Sequence, residues 1–255
     1  MNSVLLYHTA CPRCREEGAD RTGNNLGIYS DGHHYCYRCG YTVATTAIRR
    51  FTNKDRLDQP TKRIALPEDV DTSLPLFARE WLEQKYEFNN NTILNNKLLW
   101  SNDRELLIFP YFINGSLEGW QGRVFNQQEK IKRKWFSQGA LNDIVYLVGK
   151  ESPCIILTES IISAIKVSRF QQAMPIWGSN ISPKKWVALS HVTDNVFIWL
   201  DPDKQKEAVI QAKTGRLYID NVSVILSDRK PKDYSYEKLQ VLINEHNSRI
   251  NKASA

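Results

Sequence analysis

The chain is 255 residues long, 42% hydrophobic and 24% charged, with a net charge of +6. That length allows one good-sized core or two smaller ones, and the composition is that of an ordinary soluble protein. No run of 18 apolar residues exists to span a membrane, and Met1-Asn2-Ser3-Val4-Leu5 lacks the basic start and apolar segment of a secretory signal, so a cytoplasmic location is expected. The basic excess is compatible with nucleic acid, though many proteins without such a role share it.

Residues 1–44 read as a small β unit. Val4–Tyr7, Leu26–Tyr29 and His34–Tyr37 are strand-like, Cys11–Cys14 is a turn, and Ser30-Asp31-Gly32-His33 carries an Asp-Gly hairpin signal. Four of the five cysteines, Cys11, Cys14, Cys36 and Cys39, follow the spacing Cys-x2-Cys-x21-Cys-x2-Cys. Each pair sets two thiolates on one knuckle, and two knuckles complete a tetrahedron around one structural Zn²⁺. A redox dithiol or four unrelated cysteines are the alternatives, but paired knuckles on hairpin-like turns favour zinc. His8, His33 and His34 are substitute ligands that a full cysteine shell does not need. So small a unit would draw most of its stability from the metal.

Residues 45–75 mix basic and acidic residues with Pro60 and Pro67 and show little apolar periodicity, which predicts a linker. Residues 76–152 form a mixed segment. A helix is expected over Phe77–Lys85, with Phe77, Trp81 and Leu82 on one face. Strands are expected at Lys97–Trp100, Leu106–Phe112 and Leu117–Val124, with Asn114-Gly115 as a hairpin turn, and further strands at Ile131–Phe136 and Ile144–Leu147. Lys130, Lys132, Arg133 and Lys134 lie beside Trp135 and Phe136, and Arg123 follows a Gly-Trp-Gln-Gly stretch. Basic residues interleaved with aromatics suit a phosphate backbone with stacked bases, and equally suit a lysine-protected edge strand.

Residues 153–233 alternate strand and helix. Strands are expected at Cys154–Thr158, Met174–Trp177, Val196–Leu200 and Val222–Leu226, with helices at Ser160–Arg169, after Ser182-Pro183, and at Lys204–Tyr218. This alternation means a parallel sheet with right-handed crossovers. Residues 234–255 are a closing helix and tail. Glu159 stands just past the first strand, and Asp201 and Asp203 just past the third, where ligands bind in such sheets. Hard oxygen ligands without nearby His or Cys select Mg²⁺ or Mn²⁺. A helix cap at Glu159 and a plain turn at Asp201–Asp203 are the alternatives for each taken alone. Asp233, in the loop after the last strand, is a further candidate acid. Cys154 has no partner and reads as a buried, inert thiol.

Strand-Glu159, strand-Asp201-x-Asp203 and the later Lys232-Asp233 together resemble the Toprim domain. With Tyr7-His8, Cys11–Cys14, Ser30–His33, Cys36-Tyr37-x-Cys39, Gly119–Arg123 and Lys134–Gly149, the chain resembles a bacterial- or phage-type DNA primase. The likeness is nearest to the primase half of phage primase–helicases and spans most of the chain except the linker and tail. It implies an α/β (α+β) fold: a small β zinc ribbon, then a mixed α/β primase domain with a Toprim-type parallel sheet. It further implies that Glu159 is the catalytic glutamate, that Asp201 and Asp203 hold one or two catalytic Mg²⁺ or Mn²⁺, and that Asp233 is the later acid. Arg123 and Lys134 would hold nucleotide or template phosphates, with Lys132 of the same basic cluster beside them. Asp31 and His33 would help read the template, with a plain hairpin turn as the alternative there. Two positions depart from the pattern, Ser160 where glycine is usual and Ser163 where phage relatives often carry another acid.

The implied function is synthesis of short RNA primers on single-stranded DNA, with NTPs as substrates, in the host cytoplasm if the protein is phage-encoded. A Toprim nuclease and a non-catalytic single-strand-binding replication module are the alternatives. The sequence has no G-x-x-x-x-G-K-[ST] run. A replicative helicase on a separate chain is therefore the expected partner, with a DNA polymerase as a further one.

Overall fold

The computed structural model describes residues 5–20, 22–29, 33–43 and 64–253. The chain divides into two compact units, residues 1–63 and 64–255.

In the first unit β1 (Leu5–Thr9), β2 (Leu26–Tyr29), β3 (His34–Cys36) and β4 (Thr42–Val43) form an antiparallel sheet in chain order. Where a turn is predicted at Cys11–Cys14, the chain enters the short helix α1 (Pro12–Glu16). Pro12 stands at its first position, where a missing N–H costs nothing. The core of the unit is Cys11, Cys14, Leu26, Ile28 and Cys36. Three of its five side chains are thus metal-ligand candidates rather than hydrocarbon. Val4, the turn residues Ser30, Asp31 and Gly32, and positions 45–63 of the predicted linker lie outside the described residues.

The second unit begins with a five-stranded antiparallel sheet, β5 (Val70–Asp71), β6 (Leu99–Ser101), β7 (Leu106–Ile113), β8 (Ser116–Val124) and β9 (Trp135–Gln138), again in chain order. Asn114 and Gly115 both take positive φ, 50° and 82°, as the two-residue turn between β7 and β8 requires. Helices α2 (Leu76–Tyr86) and α3 (Asn90–Asn95) lie between β5 and β6. On α2 the fully buried positions are Ala78, Leu82 and Tyr86, while Trp81 and Phe77 meet Phe125 edge-on or tilted.

Three expectations are corrected in this unit. Positions 64–75 are not a tether: Ile64, Leu66 and Val70 pack against the sheet, and the Trp120 indole N–H donates to Ala65 O at 3.0 Å. Residues 131–132 are helical, within α4 (Gln127–Lys132), because Asn126 accepts the N–H groups of Gln128 and Glu129 and starts a helix there. Ile131 is accordingly 88% exposed. The stretch 144–147 runs without strand pairing and ends in a single antiparallel bridge from Val148 to Ala173.

A parallel four-stranded sheet follows, with β10 (Ile155–Thr158), β11 (Ala173–Pro175), β12 (Asn195–Trp199) and β13 (Asn221–Val224) in the order β11-β10-β12-β13. β10 and β11 are buried throughout and β12 nearly so, which explains apolar runs without alternation, whereas the edge strand β13 alternates exposed and buried residues. Ile156, Phe197 and Trp199 pack with α5 (Ile161–Val167) and with Leu239 and Ile243 of α8 (Tyr236–Ala253). Ile155, Leu157 and Ile198 pack with α6 (Pro183–Ser190) and α7 (Gln205–Gly215). A Cβ on Gly215 would stand 2.6 Å from Trp186, so the glycine lets α7 close on α6. One core runs from Leu74 through Leu107 and Phe197 to Ile243 and binds the antiparallel and parallel sheets into a single body.

Candidate active site

In the first unit the four cysteine Sγ atoms lie within 4.8 Å of one another. The Cys11–Cys39 and Cys14–Cys36 separations are 3.6 and 3.7 Å. A tetrahedron with Zn–S bonds of ~2.3 Å has edges of about 3.8 Å, so the cluster fits one structural zinc. Asp20 Oδ2 accepts the Cys11 N–H at 2.7 Å and Oδ1 accepts the Asn24 N–H at 3.2 Å, which anchors the first knuckle. The Cys11 bond in particular holds the Asp20 carboxyl below its usual range. Burial pushes the Cys14 thiol well up. At Cys36 burial works the same way, but the N–H groups of Cys39 and Arg38 outweigh it and pull the thiol down to about 6. The His33 ring stacks on Tyr29 with centroids 4.1 Å apart.

In the second unit the topology assembles an acidic crevice. Strand β10 pairs with β11 on one side and β12 on the other, and Thr158 stands opposite Trp199. Glu159 and Asp201 therefore leave the ends of adjacent strands, at the point where the chain turns away in opposite directions. Asp201 is 5% exposed, and Glu159 is half-buried. Glu159 Oε2 and Asp201 Oδ1 are both buried without a hydrogen-bond partner. Orphaned carboxylate oxygens are costly unless a cation takes them up, and this pair fits a hard divalent ion.

The other oxygen of Asp201, Oδ2, accepts from Lys230 Nζ at 2.5 Å. Burial raises the Glu159 carboxyl; Asp201 and Asp203 add to the shift, and Lys230 and Lys232 oppose it. Asp203 is exposed on the 3-10 turn Pro202–Lys204. Asp233 is exposed on a second such turn, Pro231–Asp233, which packs against α5 and α2. Its charge acts on Tyr86, Lys166 and Lys232. Among the described residues only the four cysteines bring three or more such ligands within 4.8 Å of one another. Asp203 and Asp233 are thus not gathered with Glu159 and Asp201 into one set of three ligands.

The two departures from the Toprim pattern bond to each other. Ser160 has ordinary extended backbone, φ −124° and ψ 154°, so the position makes no demand for glycine. Its Oγ accepts the Ser163 N–H at 3.3 Å and caps α5, and it donates to the buried Ser163 Oγ at 3.1 Å.

Arg123 pairs across β8 with Leu107 and Trp135. Its guanidinium lies 5.8 Å from the Trp81 ring and 5.5 Å from the Trp135 ring, and burial lowers its pKa. Two aromatic rings thereby hold a planar cation in place. Tyr86, whose hydroxyl burial raises to about 12, feels both Arg123 and Asp233 and so lies between the basic and acidic residues. Lys132 closes α4, and Lys134 is exposed just before β9, its carbonyl accepting the Val124 N–H at 3.1 Å.

A cavity of about 360 Å³ opens where the two sheets meet, lined by Gln121, Ser137, Asn142, Asp143 and Trp177 among others. The Gly178 N–H, next to Trp177, donates to Glu159 O at 3.3 Å. The fully buried Lys185 extends over the Trp177 ring at 4.7 Å and donates to Leu141 O at 3.1 Å. Sequence reading did not single out Lys230, Trp177 or this cavity. The signal for Lys230 was topological, since a loop leaving β13, the neighbour of β12, ends on the same side of the sheet as Asp201.

No family model and no curated protein matches the chain. Solved structures do. The primase fragment of the bacteriophage T7 primase–helicase protein is matched over 95% of this chain and 99% of that one, with a TM-score of 0.50 at 16% identity. A primase from Aquifex aeolicus, comprising zinc-binding and RNA polymerase domains, is matched over 96% and 80%, with a TM-score of 0.52 at 14% identity. The DnaG catalytic core is matched over 66% and 72%, with a TM-score of 0.53 at 14% identity. At such identities the likeness is one of fold. The chain, an antiparallel four-cysteine unit followed by a mixed α/β unit with a parallel sheet, shares the fold of these primase fragments, and the α/β class is as the sequence led us to expect.

Proposed function

We propose that the chain is a DNA primase, a nucleotidyltransferase that joins NTPs into short RNA primers on a single-stranded DNA template during replication. The observation that carries this reading is the pair of buried, unpartnered oxygens on Glu159 and Asp201, on a chain with a primase-type fold. Glu159 and Asp201, with Asp203 and Asp233 at the rim, would hold Mg²⁺ or Mn²⁺. When bound, such an ion neutralises phosphate charge and acidifies the attacking hydroxyl. Glu159 takes the proton of the 3′-hydroxyl. The freed oxygen bonds to the α-phosphorus of the incoming NTP, the bridging bond to the β-phosphate breaks, and pyrophosphate leaves. Arg123, braced between Trp81 and Trp135, holds phosphate in line; Lys132 and Lys134 are assigned the same phosphate-holding role from sequence. Positioning and fixed charge supply most of the acceleration in such a reaction. The zinc knuckles, with His33 beside them, select the template start site. Asp31 is assigned the same role from sequence alone. A helicase and a DNA polymerase, as separate chains, take the primed template onward.

The test is de novo dinucleotide synthesis from NTPs and Mg²⁺ on single-stranded DNA. Wild type forms labelled dinucleotide, and the double variant Asp201→Ala, Asp203→Ala forms none. Full activity in that variant, or DNA cleavage without NTP incorporation, overturns the assignment.

A further inference from the structure

Lys230 lies on the loop between β13 and α8, and that loop is tied down at its base. The Trp199 indole N–H donates to Ser227 Oγ at 2.8 Å, and Gln205 Nε2 donates to Ser227 O at 2.9 Å. Beyond Lys230 the chain turns at once, with the Asp233 N–H donating to Lys230 O at 2.9 Å. The backbone is thus fixed on both sides, and the side chain crosses to Asp201, where its Nζ sits 2.5 Å from Oδ2. The lysine side chain is 42% exposed and the aspartate side chain 7%. The ammonium therefore enters from the solvent side of the crevice. Asp201 Oδ1 and Glu159 Oε2 remain unpaired.

An ammonium on one oxygen of a buried aspartate is a monovalent cation in a position that also suits a divalent one. Like charges held this close repel strongly, and burial weakens the screening. We propose that Lys230 is a resident counter-ion that competes with the divalent ion for Asp201 and, once displaced, engages the phosphates of the nucleotide. This rests on the reading of the crevice as a divalent-ion and nucleotide site. Without an ion, the lysine offsets part of the acidic charge. With an ion on Asp201, the released ammonium stands at the solvent side, where an incoming triphosphate offers it a new anionic partner. One side chain thus sets an ion-concentration threshold and couples it to substrate binding.

The two roles predict effects of opposite sign in one variant. Mn²⁺ binding to the zinc-loaded full chain is followed by the electron paramagnetic resonance signal of free Mn²⁺, for wild type, Lys230→Gln, Lys230→Arg and Asp201→Asn. Lys230→Gln tightens Mn²⁺ binding by about tenfold or more, Lys230→Arg keeps the wild-type affinity, and Asp201→Asn abolishes binding. In primer synthesis at saturating Mn²⁺, Lys230→Gln raises KM for NTP by about fivefold or more. Unchanged or weaker Mn²⁺ binding in Lys230→Gln, while Asp201→Asn still abolishes it, overturns the competition and leaves the ion site standing. An unchanged KM overturns the phosphate role. If wild type binds no Mn²⁺ that Asp201→Asn removes, the ion site itself fails, and the proposal with it.

Discussion

The two units of the chain are stabilised by different means. In the first, three of five core side chains are cysteines, and the space between them fits a metal ion. In the second, one continuous core runs from Leu74 to Ile243, and a second lies on the opposite face of the parallel sheet. Metal ligation can fix a small unit with few residues, whereas an acidic crevice needs rigid strands to hold its carboxylates in register. The contrast teaches that a single chain can carry two stabilities, one set by the metal and one by packing.

Removing zinc is the most direct way to break the contrast. Treatment with a strong chelator, or Cys36→Ser, should abolish hydrogen-exchange protection in residues 5–43 while leaving β10 and β12 protected. Structural zinc contributes on the order of 10–16 kcal/mol in small domains, more than such a unit gains from packing. Protection that survives in the ribbon would mean that packing holds it after all.

The reverse experiment is Trp186→Ala. This side chain is fully buried between α6 and α7, so its loss should cost about 3–5 kcal/mol in urea unfolding of the second unit and leave zinc binding untouched. A smaller and subtler effect concerns Lys185, whose pKa burial lowers from 10.5 to about 8. Its unfolded form holds the proton between those two values and its folded form does not. Stability should therefore rise with pH from about 8 to 10.5 by roughly 2–3 kcal/mol relative to Lys185→Met, read as the difference in urea midpoint. A flat difference between the two proteins would show that the lysine reaches water. The smallest effect is expected at Arg123. Arg123→Gln should raise KM for NTP about tenfold with little change in melting temperature, and Trp81→Leu should reproduce part of that loss by releasing the guanidinium. An equal fall in melting temperature would make the pair structural.

Local signals were legible where residue type and spacing carry the chemistry. The paired cysteines, the apolar runs of β10 and β12 and the Asn114-Gly115 turn needed no tertiary information. The crevice was legible because a parallel sheet brings strand ends together. What escaped depended on distant partners. Residues 64–75 look like a tether until Trp120 is seen to donate to Ala65. Ile131 counted as a strand residue because it is apolar, yet the Asn126 cap makes it an exposed helix position. Lys230 was one charge among several in a loop until the order of the strands set it beside Asp201.

The pairing of β10 with β12 has a consequence for how the protein comes into being. Glu159 and Asp201 can meet only once β11 and α6, which lie between them in sequence, have been synthesised and the chain has crossed back past β10. Such long-range pairing is slow to nucleate, because loop closure precedes any contact that rewards it. A nascent chain on the ribosome therefore exposes the ribbon early and the assembled acidic pair late. Any ion-dependent activity on nucleotides is withheld until synthesis has passed β12.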